Sequence, residues 1–179
     1  MGTQMLTTLT TMKLETPVGT LWLGADGDEL VELSLPERAA PVGIEGSSAV
    51  LVRAADQLTE YFAGERRDFD LPLAPRGTPF QVAVWWALAR IPFGATCSYG
   101  ELARVVGRPS ASRAVGAANG QNPLAILLPC HRVIGANGEL TGYGGGLPLK
   151  RWLLDHERGC VQPSLPGVGR APRARGAAR

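Results

Sequence analysis

A cysteine and a histidine adjoin in the run Leu127-Leu128-Pro129-Cys130-His131-Arg132-Val133. The nucleophilic form of cysteine is the thiolate. A nearby imidazole is the commonest means of making one from a group whose ordinary pKa is about 8.5. Two readings stand open from these residues alone: a nucleophile with its base, or a small buried hydrophobe beside an ordinary histidine. The four apolar residues Ala125-Ile126-Leu127-Leu128 predict a buried extended segment. Pro129 would end it, since its fixed φ and missing N–H suit a sharp change of direction. Cys130 is therefore expected at the end of a rigid core element.

Three neighbouring features bear on the same chemistry. Asn122 precedes Pro123 and is pushed toward extended geometry, where its amide is placed to tie this segment to the nucleophile's loop. Gly142-Tyr143-Gly144-Gly145-Gly146 offers a wall poor in side chains. Such backbone packs on a planar ring and reads its edge with N–H and C=O groups; a plain linker is the alternative. Upstream, Ala111, Ala114, Gly116, Ala117, Ala118 and Gly120 leave one segment nearly bare, with Arg113 its only charge. As a helix it would admit close approach of a large partner and favour phosphates at its N-terminus. Tight helix packing in the core is the competing explanation.

The elements that position these residues follow from periodicity and punctuation. Strands are predicted over 6–14, 20–23 and 30–35, with turns at Pro17-Val18-Gly19 and Asp26-Gly27-Asp28, an antiparallel meander. Residues 36–46 read as loop. Residues 47–62 read as an amphipathic helix with Leu51, Ala54, Ala55, Leu58, Tyr61 and Phe62 on one face, and 69–73 as a further short strand. After Gly77 the pattern turns helical. Thr78-Pro79-Phe80-Gln81 is a capping box that starts a helix reaching Ile91. Ser98-Tyr99-Gly100-Glu101 starts another that ends near Val106-Gly107, and Ser110 is expected to cap a third, to about Asn119. Two short helices around a glycine-containing turn predict a helix-turn-helix. A last helix over 147–156 would bury Leu149, Trp152 and Leu153. The fold class is α+β: a small N-terminal antiparallel sheet with a helix, then a C-terminal helical domain. The domains are expected at 1–76 and 77–160, with a basic disordered tail over 161–179.

At 179 residues, with 45% hydrophobic and 19% charged side chains, the chain is long enough to bury a core and has a globular balance. No apolar run has the length of a membrane span, and the threonine-rich start lacks the basic-then-apolar pattern of a signal peptide. The three cysteines, Cys97, Cys130 and Cys160, form no C-x-x-C pair. A disulfide framework and a zinc site are not expected, and the reducing cytoplasm is the expected location. Charge is unevenly spread. Residues 1–80 hold 6 basic and 12 acidic side chains, residues 81–157 hold 7 and 4, and five arginines without an acid follow from 158. This split points to a polyanion on the C-terminal half.

Pro129-Cys130-His131-Arg132-Val133 resembles the active-site signature of the O6-alkylguanine-DNA alkyltransferases. The resemblance covers residues 78–157 through Ser98-Tyr99-Gly100, Ser112-Arg113-Ala114-Val115-Gly116, Asn122-Pro123, Gly142-Tyr143 with its glycines, Lys150, and Trp152-Leu153-Leu154 to Glu157. Residues 1–75 resemble the family only in layout, a small ribonuclease H-like sheet plus a helix. The resemblance implies a winged-helix-like C-terminal domain and direct-reversal repair. An alkyl group would pass irreversibly, in a single turnover, from O6-alkylguanine, and from O4-alkylthymine, in double-stranded DNA to Cys130. No cofactor or metal is implied, and the protein would act as a monomer able to bind DNA cooperatively. His131 would deprotonate Cys130 through a water, Glu157 would orient the imidazole, and Tyr99 would give a proton to the leaving guanine. Arg113 would fill the stack vacated by the flipped nucleotide, because O6 is out of reach inside a duplex. Ser98, Ala114, Gly116, Asn122, Arg132, Tyr143, Gly144, Gly145 and Lys150 would line substrate and DNA.

Departures from the family pattern matter as well. Gly120 and Gly144 replace bulkier residues of some relatives, which leaves pocket width open. The N-terminal half has no cysteine, so the zinc site of some relatives is not expected there, and without an added sensor domain a transcription-activating version is not expected either. The presence of Cys130 speaks against a non-enzymatic lesion sensor. A thiol hydrolase using the same pair would need an oxyanion-hole donor and repeated turnover.

Overall fold

The alternating, threonine-rich start of the chain folds as the meander that its turns predict. In the computed structural model, which describes residues 8–36 and 38–161, β1 (Leu9–Thr16), β2 (Gly19–Asp26) and β3 (Glu29–Ser34) pair antiparallel in succession. Gly19 takes φ +110° and its carbonyl accepts from Thr16 Oγ1 at 2.6 Å, which closes the first turn. The segment expected as loop supplies a fourth strand, β4 (Gly43–Glu45), parallel to β1. The sheet order is β3-β2-β1-β4, so the sheet is mixed rather than purely antiparallel. Gly43 marks a close approach: a Cβ there would lie 2.4 Å from the Leu9 carbonyl oxygen. Residues 69–73 form one bridge, Leu30 to Leu73, instead of a strand, since Pro72 has no N–H to continue a ladder.

Ser48 caps α1 (Ala49–Phe62), which buries Leu51, Ala54, Leu58 and Tyr61. Thr78 and Ser98 close the two expected capping boxes, at the starts of α2 (Pro79–Leu88) and α3 (Tyr99–Val105). The partner helix α4 (Ser112–Gly120) begins after Ala111, with no side-chain cap, so Ser110 does not play its expected part. Trp85 Nε1 donates to the Ala118 carbonyl at 2.8 Å and fastens α2 to α4. Two short strands that the sequence reading missed, β5 (Cys97–Ser98) and β6 (Val133–Ile134), pair in parallel.

The last helix, α5 (Gly146–Val161), outruns its expected end. Leu153 is buried as expected, but it shares its stripe with Lys150, Leu154 and Glu157 rather than with Leu149 and Trp152, and Trp152 is 37% exposed. The i, i+3, i+4, i+7 spacing holds; hydropathy misled because two of the buried residues are charged. Residues 1–7, which include the start of the first expected strand, and residues 162–179, most of the expected tail, lie outside the described residues. No helix among the described residues is long and apolar enough to cross a membrane.

Candidate active site

Cys130 opens a 3-10 turn, Cys130–Arg132, that runs straight into β6. The β5–β6 register, Cys97 to Val133 and Ser98 to Ile134, bonds the turn that carries Cys130 to the strand that leads into Tyr99 and α3. The approach to Cys130 differs from the expectation. Ala125, Ile126, Leu127 and Leu128 are all buried, yet they form a compact turn. Leu128 N donates to the Leu124 carbonyl at 2.8 Å, and Ile126 takes φ +71°. An unbroken apolar run fixes burial but carries no period from which to tell a strand from a turn. A β-branched residue in the left-handed region costs about 1–2 kcal/mol, so the conformation is imposed from outside. Asn122 imposes it: Nδ2 donates to the Leu128 carbonyl at 2.6 Å and Oδ1 accepts from Leu124 N at 3.0 Å.

The thiol is 5% exposed and faces a cavity of about 10 Å³ lined in part by Leu35, Arg38, Asn119, Asn122, Tyr143 and Gly144. Burial raises the Cys130 pKa. The Asn122 amide, the Lys150 ammonium, its own backbone N–H and the Tyr143 hydroxyl pull the other way without overcoming burial. The resting group at neutral pH is therefore the thiol, and ionisation needs a base.

His131 is fully buried next to it. Its Nε2 lies 2.7 Å from Glu157 Oε1. Burial alone would raise the Glu157 pKa, but hydrogen bonds and charges from His131 and Arg132 outweigh it and bring the value to about 2. Facing a carboxylate, Nε2 carries the proton and Nδ1 is the acceptor. Nδ1 is enclosed and has no hydrogen-bond partner among the described residues. Burial lowers the His131 pKa despite Glu157, with Arg132 and Lys150 adding to the decrease, so the ring is neutral and basic at Nδ1 near neutral pH. Glu157 is held from every side: Tyr61 Oη donates at 2.8 Å, Gly94 N at 3.0 Å, and Arg132 through Nε at 2.9 Å and Nη2 at 3.0 Å. Such an arrangement is able to serve as nucleophile, base and orienter in covalent catalysis.

The glycine wall closes the other side. Lys150 Nζ donates to the Thr141 carbonyl at 2.8 Å, and Tyr99 Oη lies 3.4 Å from the same oxygen. Gly144 lies under Arg38, whose guanidinium would be 3.2 Å from an added Cβ. Gly145 is packed so that a Cβ would meet Leu149 at 2.5 Å. On the outer face, Arg113, Ala114, Ala117 and Gly120 are exposed while Val115, Ala118 and Asn119 point inward. The bare stripe of α4 thus faces solvent, against the core-packing alternative. Gly116 leaves ordinary contact room, 3.6 Å, for the Tyr99 ring. Arg108 and Arg113 are exposed with no ion-pair partner among the described residues.

Three residues expected to contact DNA or substrate are engaged within the protein. Arg132 is buried, bonded to Glu157 and, through Nη1, to the Ile91 carbonyl at 2.6 Å, with the Phe93 ring 5.6 Å away. Lys150 is buried and spent on Thr141. Ser98 is occupied as the α3 cap, accepting from Glu101 N at 3.2 Å. Four groups at the site escaped the sequence reading: Tyr61, Arg38, the Gly94 amide and Asn119, whose Nδ2 reaches the Cys130 carbonyl at 3.4 Å. Tyr61 read as core, Arg38 and Gly94 as loop, and no local pattern distinguishes them. Only Asn119, a polar residue in an otherwise bare helix, carried a signal.

Comparison with known proteins bears on both halves of the chain. Residues 9–75 match the ribonuclease-like domain of 6-O-methylguanine DNA methyltransferase, and residues 79–159 match its DNA-binding domain. The N-terminal agreement thus goes beyond layout. A methylated-DNA–protein-cysteine methyltransferase of Methanosarcina acetivorans is 47% identical over 150 residues, covering 82% of this chain and 96% of that protein. One of Mycobacterium bovis is 49% identical over 148 residues, covering 81% and 90%. A crystal structure of Mycobacterium tuberculosis OGT in complex with DNA superposes with a TM-score of 0.80 at 48% identity, covering 84% of this chain and 94% of that one. With two family domains matched in order and relatives near half identical over four-fifths of its length, the chain belongs to the methylated-DNA–protein-cysteine methyltransferase family.

Proposed function

We propose that this protein repairs DNA by direct reversal, moving the alkyl group of O6-alkylguanine in duplex DNA onto Cys130. The observation that carries the reading is the buried, neutral pair of Cys130 thiol and His131. Nε2 is anchored on a Glu157 carboxylate that is ionised at neutral pH, and Nδ1 is left as acceptor. The Sγ proton passes to Nδ1 through an intervening water, because adjacent side chains diverge. Sulfur then attacks the alkyl carbon: the S–C bond forms as the C–O6 bond breaks. The electron pair goes to guanine, which takes a proton from Tyr99 Oη. Nothing in a thioether reverses the step, so each molecule acts once. O4-alkylthymine presents the same alkyl–oxygen bond and would react alike.

Duplex DNA would lie along α4, with Arg108 and Arg113 toward it. Arg113 would hold the place of the everted nucleotide while the base enters beneath Tyr99 and the wall of Tyr143, Gly144 and Gly145. Ala114 and Gly116 leave α4 room to approach. The cavity of about 10 Å³ is far too small for a purine, so the wall moves outward as the base enters. Residues 1–76 would form the supporting domain and 77–160 the reacting one, in a protein working as a monomer. Its three unpaired cysteines suit a reducing compartment, and we assign it to the cytoplasm.

Intact-mass spectrometry after incubation with a duplex containing O6-methylguanine tests the reading. The expected result is one added methylene per molecule, mapped to Cys130, with turnover ending at one equivalent. Repeated turnover would indicate a hydrolase, and binding without a mass change a lesion sensor.

A further inference from the structure

Tyr61 belongs to α1, 96 residues before Glu157, yet its hydroxyl donates at 2.8 Å to Glu157 Oε1, the oxygen that also holds His131 Nε2 at 2.7 Å. The side chain is fully buried. Its ring meets Phe62 at 5.2 Å, Phe69 at 5.5 Å, Phe93 at 6.0 Å and His156 at 5.3 Å. His156 Nε2 lies 2.8 Å from the Tyr61 carbonyl and secures the backbone as well. With ring and backbone both fixed, the hydroxyl has one place to point. We propose that Tyr61 is a positioning residue for alkyl transfer, sharing Glu157 Oε1 with His131 and thereby setting how strongly Glu157 draws on the imidazole.

The inference rests on the reading of Cys130, His131 and Glu157 as a relay. A carboxylate oxygen divides its charge among the donors it accepts, so each added donor weakens the others. Tyr61 and Arg132 Nη2 compete with His131 Nε2 for Oε1. Burial, then the charge and hydrogen bond of Glu157, push the Tyr61 phenol far above its usual pKa, so it remains a donor throughout the working range. A carboxylate relieved of Tyr61 would hold the proton on His131 more firmly. His131 would then be protonated at a higher pH and would act as base over a narrower range. The titratable and charged groups facing this centre are His131, Arg132 and Cys130 on the 3-10 turn, Tyr143 on the glycine wall, Lys150, His156 and Cys160 on α5, and Tyr61 itself. Tyr61 is the one of them contributed by the N-terminal half.

The test is the pH profile of transfer from free O6-benzylguanine, which removes DNA binding from the measurement. It is run on the parent, Tyr61→Phe, Glu157→Gln and the double variant. Tyr61→Phe keeps the ring and is expected to move the acid limb to higher pH, slowing the reaction there about two- to tenfold, the worth of one hydrogen bond. The alkaline plateau should stay nearly unchanged. In the Glu157→Gln background the same substitution should leave the limb where it is. A limb that does not move, or moves equally in both backgrounds, would reduce Tyr61 to packing and overturn the proposal. Should Tyr61→Phe not fold, 3-fluorotyrosine at position 61 preserves the packing and strengthens the donor. It should shift the limb to lower pH, and an unshifted limb is equally fatal. A parent protein that transfers nothing would count against the proposed function, whereas a transferring parent with an indifferent Tyr61 would sink only this inference.

Discussion

Burial acts on the two central side chains in opposite directions, raising the Cys130 pKa and lowering that of His131. Both are neutral at pH 7, and in the proposed mechanism a single proton transfer between them makes the nucleophile. His131 has a folded pKa below its ordinary value of about 6.5, so it remains a base until the pH falls well under that value, and transfer should decline on the acid side. In His131→Ala the limb set by the imidazole should be replaced by one set by the thiol. The rate should rise about tenfold per pH unit, toward a thiol pKa above the usual value of about 8.5, and be about 10²–10⁴-fold slower at neutral pH. Quenched-flow measurement with O6-benzylguanine checks this, and an unchanged profile would remove His131 from the mechanism. Cys130→Ser should leave a folded, DNA-binding protein with no acceptor. Alkylation of Cys97 or Cys160 at a comparable rate would contradict that assignment.

At the scale of elements, α4 and the turn before Cys130 divide the labour. The helix exposes its bare stripe and Arg113, while Trp85 and Asn122 hold its inner side and the following turn in place. Arg113→Ala is expected to slow repair in duplex DNA at least about tenfold and leave reaction with free O6-benzylguanine nearly unchanged, since a free base needs no eversion. Equal losses on both substrates would make Arg113 a structural residue. Binding to duplex DNA should also weaken as salt rises, because arginine contacts release counterions from the phosphates.

For the molecule as a whole, Glu157 is the point where distant segments meet: Tyr61 of α1, the Gly94 loop, and His131 and Arg132 of the 3-10 turn. Its folded pKa of about 2 lies below the ordinary 4.5. The stability it contributes is therefore complete above about pH 4.5 and lost as pH falls toward 2. His131, also depressed, adds a loss in the same direction below its ordinary pKa. Melting temperature should drop on acidification, and less steeply in Glu157→Gln, which starts lower because Arg132 loses its buried partner. Alkylation is the second stress. A methyl on Cys130 must fit a cavity of about 10 Å³, and overpacking costs about 1–3 kcal/mol against a total near 5–15 kcal/mol. Stoichiometric methylation should lower the melting temperature by several degrees and weaken DNA binding. A modified protein as stable as the parent would show that the wall yields without strain.

Features under local chemical control were legible along the chain. Two capping boxes placed the starts of α2 and α3, and glycine turns placed the meander. The adjoining Cys130 and His131 marked a candidate pair, and the bare run around Arg113 a helix that could face either a partner or the core. Tertiary structure decided the rest. The apolar run before Cys130 became a turn because Asn122, not the run itself, supplies the partners that shape it. Residues 43–45 became a strand because an edge of β1 was open to them. Arg132 and Lys150, expected to line substrate and DNA, are instead buried against partners elsewhere in the chain, Glu157 and the Thr141 carbonyl. Tyr61 looked like ordinary core, since a helix pattern shows which face is inward and says nothing of the carboxylate that meets it there.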